Sequence, residues 1–207
     1  MNASSNNLAN GGIPDTIPVI PTMDIVVFPH MLVPLLVLDE RIINGINQAL
    51  EGSKMVLLIT GKCTCACFYC PLSKKKYGKD VIYADEWQLK NEKDTHILIE
   101  EAHAIDAEGA GITGGDPLLV WQRTREYITI LKKEFGSSFH IHLYTSGLVH
   151  PNHISDLIKA GLDEIRFHPP PSTWNTLSSS PIVQTIYQSV KSTIDVALEI
   201  PVLPNHE

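Results

Sequence analysis

Four cysteines, Cys63, Cys65, Cys67 and Cys70, fall within eight residues, and the chain has no others. Thiols this close cannot staple distant segments, which is what the cysteines of a secreted disulfide framework do. Their spacing offers metal or redox chemistry instead. A structural zinc site takes four ligands, usually as two separated pairs, so the compressed run is an unusual zinc pattern. Cys67 and Cys70 alone make a CxxC pair of the thioredoxin kind, although that pair normally sits in a much smaller fold. Buried structural thiols are the plain alternative. Iron–sulfur clusters take cysteine thiolates, and Cys63-x3-Cys67-x2-Cys70 supplies three of them. Three ligands on a four-iron cluster leave one iron open to a small molecule. Cys65 lies inside the x3 gap and reads as a non-ligand.

The elements around this run must hold it in place. Met55 to Ile59 reads as a short buried strand, and the cysteines follow its end at Thr60. In parallel α/β folds ligands bind at the carboxyl ends of strands, so the thiols stand where a site is expected. Strands and helices then alternate: helix 94–107, strand 109–113 running into a glycine-rich turn, helix 118–135, strand 139–144, helix 153–160, strand 163–167, helix 180–192 and strand 196–200. That order predicts βαβ units and a parallel sheet. With five strands legible, the expected fold is α/β: a partial (β/α) barrel of parallel strands, preceded by a short irregular β/α segment. His140, His142, His150, His153 and His168 form no recognisable ligand spacing and read mainly as strand or loop polar residues.

The CxxxCxxC spacing with an aromatic, Tyr69, just before the last cysteine resembles the signature of the radical S-adenosylmethionine (SAM) superfamily. One βα unit later, Gly114-Gly115-Asp116-Pro117 resembles that family's GGEP-like turn, with Asp in place of the commoner Glu. Glycines there let backbone approach a ligand closely. The resemblance implies a [4Fe–4S] cluster on Cys63, Cys67 and Cys70, with SAM bound beside it. It implies backbone near Tyr69 against the adenine and the turn Gly114, Gly115, Asp116 and Pro117 on SAM's amino group. Thr145 and Ser146 would reach the ribose or carboxylate, and Arg166 would pair the carboxylate. The implied reaction is reductive cleavage of SAM to a 5′-deoxyadenosyl radical that abstracts hydrogen from an unknown substrate. A reduced electron donor such as ferredoxin or flavodoxin is implied as partner. The resemblance runs from about Lys54 to Pro204, and its stretches GKCTCACFYCPLSKKKYGKDVIYADE and GLDEIRFHPP look like a group related to pyruvate formate-lyase activating enzymes. The family normally adds a sixth strand, so a core truncated at its carboxyl end is expected.

The front of the chain resembles something else. IPVIPTMDIVVFPHMLVPLLVLDERIINGINQAL looks like the start of the Lon protease amino-terminal substrate-binding domain. No P-loop follows, because Thr60-Gly61-Lys62-Cys63 lacks the upstream glycine and the trailing hydroxyl residue. The expected organisation is a disordered tail over 1–16, a Lon-like fragment over 17–51 and a radical SAM core over 52–207. A Lon-like polypeptide-binding fragment on an inactive remnant, or a zinc-binding protein, are the alternative functions. The net charge of −7 argues against a broad electrostatic grip on nucleic acid. The run Lys74-Lys75-Lys76 reads as a solvated loop. No apolar run reaches the roughly 18 residues a membrane span needs, and the first residues lack the basic region of a signal peptide. A cytoplasmic protein is the expectation.

Overall fold

The structure, a computed structural model, describes residues 54–91 and 94–201. The tail and the Lon-like segment over 17–51 lie outside the described residues.

The expected βαβ order is present. Strand β1 (Lys54–Thr60) is followed by β2 (Ile82–Ala84), β3 (Trp87–Leu89) and helix α1 (Thr95–Ala104). Then come β4 (Gly109–Gly114), α2 (Trp121–Phe135), β5 (His140–Thr145), α3 (Ile154–Ala160), β6 (Glu164–Phe167), α4 (Pro181–Val190) and β7 (Asp195–Leu198). The seven strands form one open sheet in the order β3-β2-β1-β4-β5-β6-β7. Neighbours from β1 through β7 pair in parallel, and helices connect them, as parallel pairing requires.

Sequence reading finds the five parallel strands and misses two. β2 and β3 are an antiparallel hairpin on the edge of β1. Each is three residues long, too short to show a period of two. The signal present was the two-residue connection Asp85-Glu86, in which Asp85 takes a positive φ of 47°. Asp85 also clips the hairpin to β1, its Oδ1 accepting from Val56 N at 2.9 Å.

The two faces of the sheet differ. Met55, Leu57 and Ile59 of β1, Ala110 and Ile112 of β4, Ile141 and Leu143 of β5, and Ile165 and Phe167 of β6 point into one apolar core. Leu98 of α1, Tyr127, Ile128 and Leu131 of α2, Leu157 of α3 and Ile182 of α4 cover it. Along each strand the alternate residues must face the other way. There the register sets Val56, Gly111, His142, Glu164 and Asp195 side by side in one row across five strands. Polar groups are concentrated on the β5–β6 part of this second face.

Candidate active site

The cysteine loop begins where β1 ends and closes on Gly61. Gly61 N donates to Lys79 O and Gly61 O accepts from Gly78 N, both at 2.8 Å. A Cβ on Gly61 would sit 1.8 Å from the Lys76 carbonyl oxygen, so only glycine lets the two ends of the loop meet. All four cysteines inside it are free and partly exposed. Cys65 N donates to Cys63 Sγ at 3.3 Å. The two thiols also share a hydrogen bond, so they do not ionise independently. That bond, donated by Cys63, lowers the Cys65 thiol to about 6, and the same bond together with burial raises Cys63. Burial also pushes up the Cys67 thiol.

Two contacts bind this loop to the turn after β4. Gly115 N donates to Thr60 O at 2.7 Å and Asp116 N to Lys62 O at 2.8 Å. The glycines are required by this approach: a Cβ on Gly115 would fall 1.9 Å from the Lys62 carbonyl oxygen, and one on Gly114 would fall 2.2 Å from that of Thr60. Cys65 and Ser146 hydrogen-bond through their side chains, and this helps lower the Cys65 thiol. The loop after β1, the turn after β4 and the end of β5 therefore form one assembly.

Asp116 is its knot. The carboxylate is fully buried and accepts from Thr145 Oγ1 at 2.9 Å, Ser146 N at 3.1 Å, Ser146 Oγ at 2.5 Å and Leu118 N at 3.1 Å. Burial pushes its pKa up and the four donors pull it back. The side chains of Asp116, Thr145 and Ser146 thus face one another. Pro117, also buried, opens a single 3₁₀ turn that Asp116 caps and that leads into α2.

Tyr69 reaches across to β6. Its hydroxyl lies 3.1 Å from His168 Nε2. Burial raises the Tyr69 hydroxyl, with the neighbouring Cys67 adding to the shift, and burial lowers His168. Arg166 lies on the second sheet face, where Nε and Nη2 donate to Glu164 Oε1 and Oε2 at 2.6 and 3.2 Å and Nη1 to Tyr144 Oη at 2.8 Å.

Residues 57–199 match the Radical SAM superfamily. The chain belongs to this superfamily. A protein of Methanocaldococcus jannaschii carrying the description "Putative glycyl-radical enzyme activating enzyme" is 40% identical over 173 residues, 81% of this chain and 45% of that one. The chain thus spans about half the length of this curated relative. The front segment is similar to Lon proteases: 44% identity over 50 residues with that of Geobacter metallireducens, 24% of this chain and 6% of the protease. A solved structure of BtrN in complex with AdoMet and 2-DOIA superposes with a TM-score of 0.46 at 16% identity, covering 70% of this chain and 55% of that one.

Three residues of this radical SAM chain that sequence reasoning did not assign to the site support it. Asp80 accepts from Arg123 Nη1 at 2.6 Å, from Lys62 Nζ at 3.1 Å and from Thr60 Oγ1 at 3.2 Å. Arg123 Nη1 also donates to the Ile59 carbonyl at 3.2 Å. His168 is the third, through Tyr69. No local spacing announces them, because Arg123 lies 43 residues from Asp80 and His168 lies 99 from Tyr69. The guanidinium of Arg123, aided by Lys62, holds the Asp80 carboxyl well below the usual carboxylate range. A depressed pKa contributes stability that is present above the unfolded value of about 3.9 and is lost as pH falls through and below it. Asp80 is 35% exposed, so solvent screening limits this to about 1 kcal/mol. Urea unfolding at pH 7 and near pH 3 is therefore expected to show Asp80→Asn less stable than wild type at pH 7, with the gap closing at the lower pH. An equal gap at both pH values would contradict the ion pair.

Proposed function

We propose that this chain is the iron–sulfur and SAM-binding core of a radical SAM enzyme. One observation carries the reading. The CxxxCxxC loop and the Gly114–Pro117 turn are hydrogen-bonded to each other at adjoining carboxyl ends of β1 and β4, where ligands bind in parallel α/β sheets. Superfamily membership implies a [4Fe–4S] cluster and SAM. The donor set fits: soft thiolates in an accessible loop are ligands for iron–sulfur clusters. Cys63, Cys67 and Cys70 would hold the cluster. Bound, that group supplies the electron that cleaves SAM to methionine and a 5′-deoxyadenosyl radical.

The protein's own work is placement. The carbonyls of Gly114 and Gly115 would accept from SAM's ammonium group. Asp116, Thr145 and Ser146 set the height of that turn through their mutual hydrogen bonds. Tyr69, braced by His168, would hold its loop against the adenine. Arg166, paired with Glu164 and Tyr144, would reach SAM's carboxylate only by leaving those partners. Four free thiols and an oxygen-labile group suit a reducing compartment, which supports the cytoplasm as its location. A low-potential donor such as reduced ferredoxin or flavodoxin would supply the electron. The similarity of the front segment to Lon supports a separate polypeptide-binding role for that segment, expected to persist without iron.

The test is anaerobic reconstitution with iron and sulfide, followed by dithionite and SAM. Formation of 5′-deoxyadenosine is expected. An intact cluster that yields none would refute the reading.

A further inference from the structure

The second face of the sheet carries a cluster the cysteine chemistry does not use. On β5 and β6, one nitrogen each from His140 and His142 and one oxygen from Glu164 lie within 4.8 Å of one another. His140 Nε2 stands 3.1 Å from Glu164 Oε2. The register makes the grouping: His142 pairs directly with Glu164, and His140 is two residues earlier on the same face.

Two further observations point to a ligand here. His142 is only 7% exposed, and its Nδ1 has no hydrogen-bond partner among the described residues. A buried imidazole nitrogen without a partner requires an explanation. The space for this ring is also built in. It lies over Gly111, its neighbour in register on β4, and a Cβ at Gly111 would come 2.7 Å from His142 Nε2. Arg166 meanwhile grips both Glu164 oxygens, Oε1 at 2.6 Å and Oε2 at 3.2 Å, and Oε2 also faces His140 Nε2. A basic group that fixes a carboxylate beside an imidazole is how outer partners orient metal ligands.

We propose that His140, His142 and Glu164 bind a divalent first-row transition ion on the face of the sheet opposite the apolar core. Two imidazoles and one carboxylate are the donor set of open catalytic zinc and of non-haem iron sites. Ligand bonds of about 2.0–2.2 Å place the ligand atoms of a tetrahedral or facial site about 3.0–3.5 Å apart. The cluster, whose atoms lie within 4.8 Å of one another, therefore has to close on the ion by up to about 1.8 Å. The Arg166 guanidinium balances the Glu164 charge, so the pocket offers no net negative field. Affinity must then come from nitrogen donors, which selects ions of the Fe(II), Co(II) and Zn(II) type over Ca(II) or Mg(II). With three protein ligands the ion keeps open positions for an oxygen or nitrogen group of a small molecule.

The site shares no ligand with the thiol loop, and its test is separable from that of radical SAM activity. The full chain, its cluster reconstituted anaerobically, is incubated with Co(II), freed of excess metal, and analysed for iron and cobalt. One cobalt per chain beyond the cluster iron is expected. His142→Phe and Glu164→Gln should each lower cobalt retention at least about tenfold with iron unchanged, while Arg166→Gln should weaken it by about tenfold. Cobalt X-ray absorption of the wild-type chain, which needs no variant to fold, should show nitrogen and oxygen neighbours. No retained cobalt, equal retention in both ligand variants, or sulfur neighbours would each overturn the proposal and leave the cluster reading intact.

Discussion

Changing any one of Cys63, Cys67 or Cys70 to Ala is expected to strip the chain of its cluster: the brown absorbance near 400 nm and the bound iron fall to background, and 5′-deoxyadenosine with them. Cys65→Ala is expected to keep both. The structure gives this contrast a sharper basis than spacing does. Cys65 contributes two different things to its neighbour. Its thiol shares a proton with Cys63 and hydrogen-bonds Ser146, and its backbone N–H donates to Cys63 Sγ at 3.3 Å. Alanine removes the first and keeps the second. Once Cys63 is a ligand thiolate it has no proton to share, so the thiol–thiol bond is expendable, whereas an N–H donated to a ligand sulfur remains useful because such bonds tune the cluster's potential. Loss of colour in Cys65→Ala comparable with that in Cys63→Ala would make Cys65 a ligand and reverse the assignment. Iron-free preparations of the three ligand variants should also be less stable than the loaded wild type, since ligand binding to the folded state adds directly to its stability.

The second large effect concerns Asp116. Asp116→Ala removes one acceptor group and strands four donors, two hydroxyls and two backbone N–H groups, in a site that admits no water to the carboxylate. Each unsatisfied buried donor costs about 1–3 kcal/mol. The hydroxyls can turn to other acceptors and the backbone groups cannot, so the net loss should be about 3–5 kcal/mol, comparable with breaking a buried charged network. Asp116→Asn keeps one oxygen but sets an NH2 against the donors of Ser146, and should cost about half as much. Thermal unfolding checks the order: wild type most stable, Asn intermediate, Ala least. Iron retention should fall in the same order, because Asp116 N also holds Lys62 O, the residue before Cys63. A variant Asp116→Ala within 1 kcal/mol of wild type would show that the carboxylate is not the knot of the turn.

The residue types and spacing of the proposed site were legible because they are local. Cys63, Cys67, Cys70 and Tyr69 lie within one loop, and Gly114 to Pro117 within one turn, so their types and spacing survive in a linear string. The parallel strands were legible too: Met55–Ile59 and the other apolar runs are buried deeply enough to read as hydrophobic segments between helical ones. The β2–β3 hairpin was not, because three-residue strands with one buried side carry no period. Nor were the partners of the Asp116 carboxylate, which burial and the register of β5 against β4 turn onto Thr145 and Ser146. By itself the sequence determined the thiol loop, the glycine turn and the alternation that carries them. Tertiary structure alone decided which distant side chains meet. Asp80 with Arg123, Tyr69 with His168, and His142 with Glu164 are joined by parallel pairing and helix packing across 22 to 99 residues, a register that depends on how whole strands align rather than on any spacing within one.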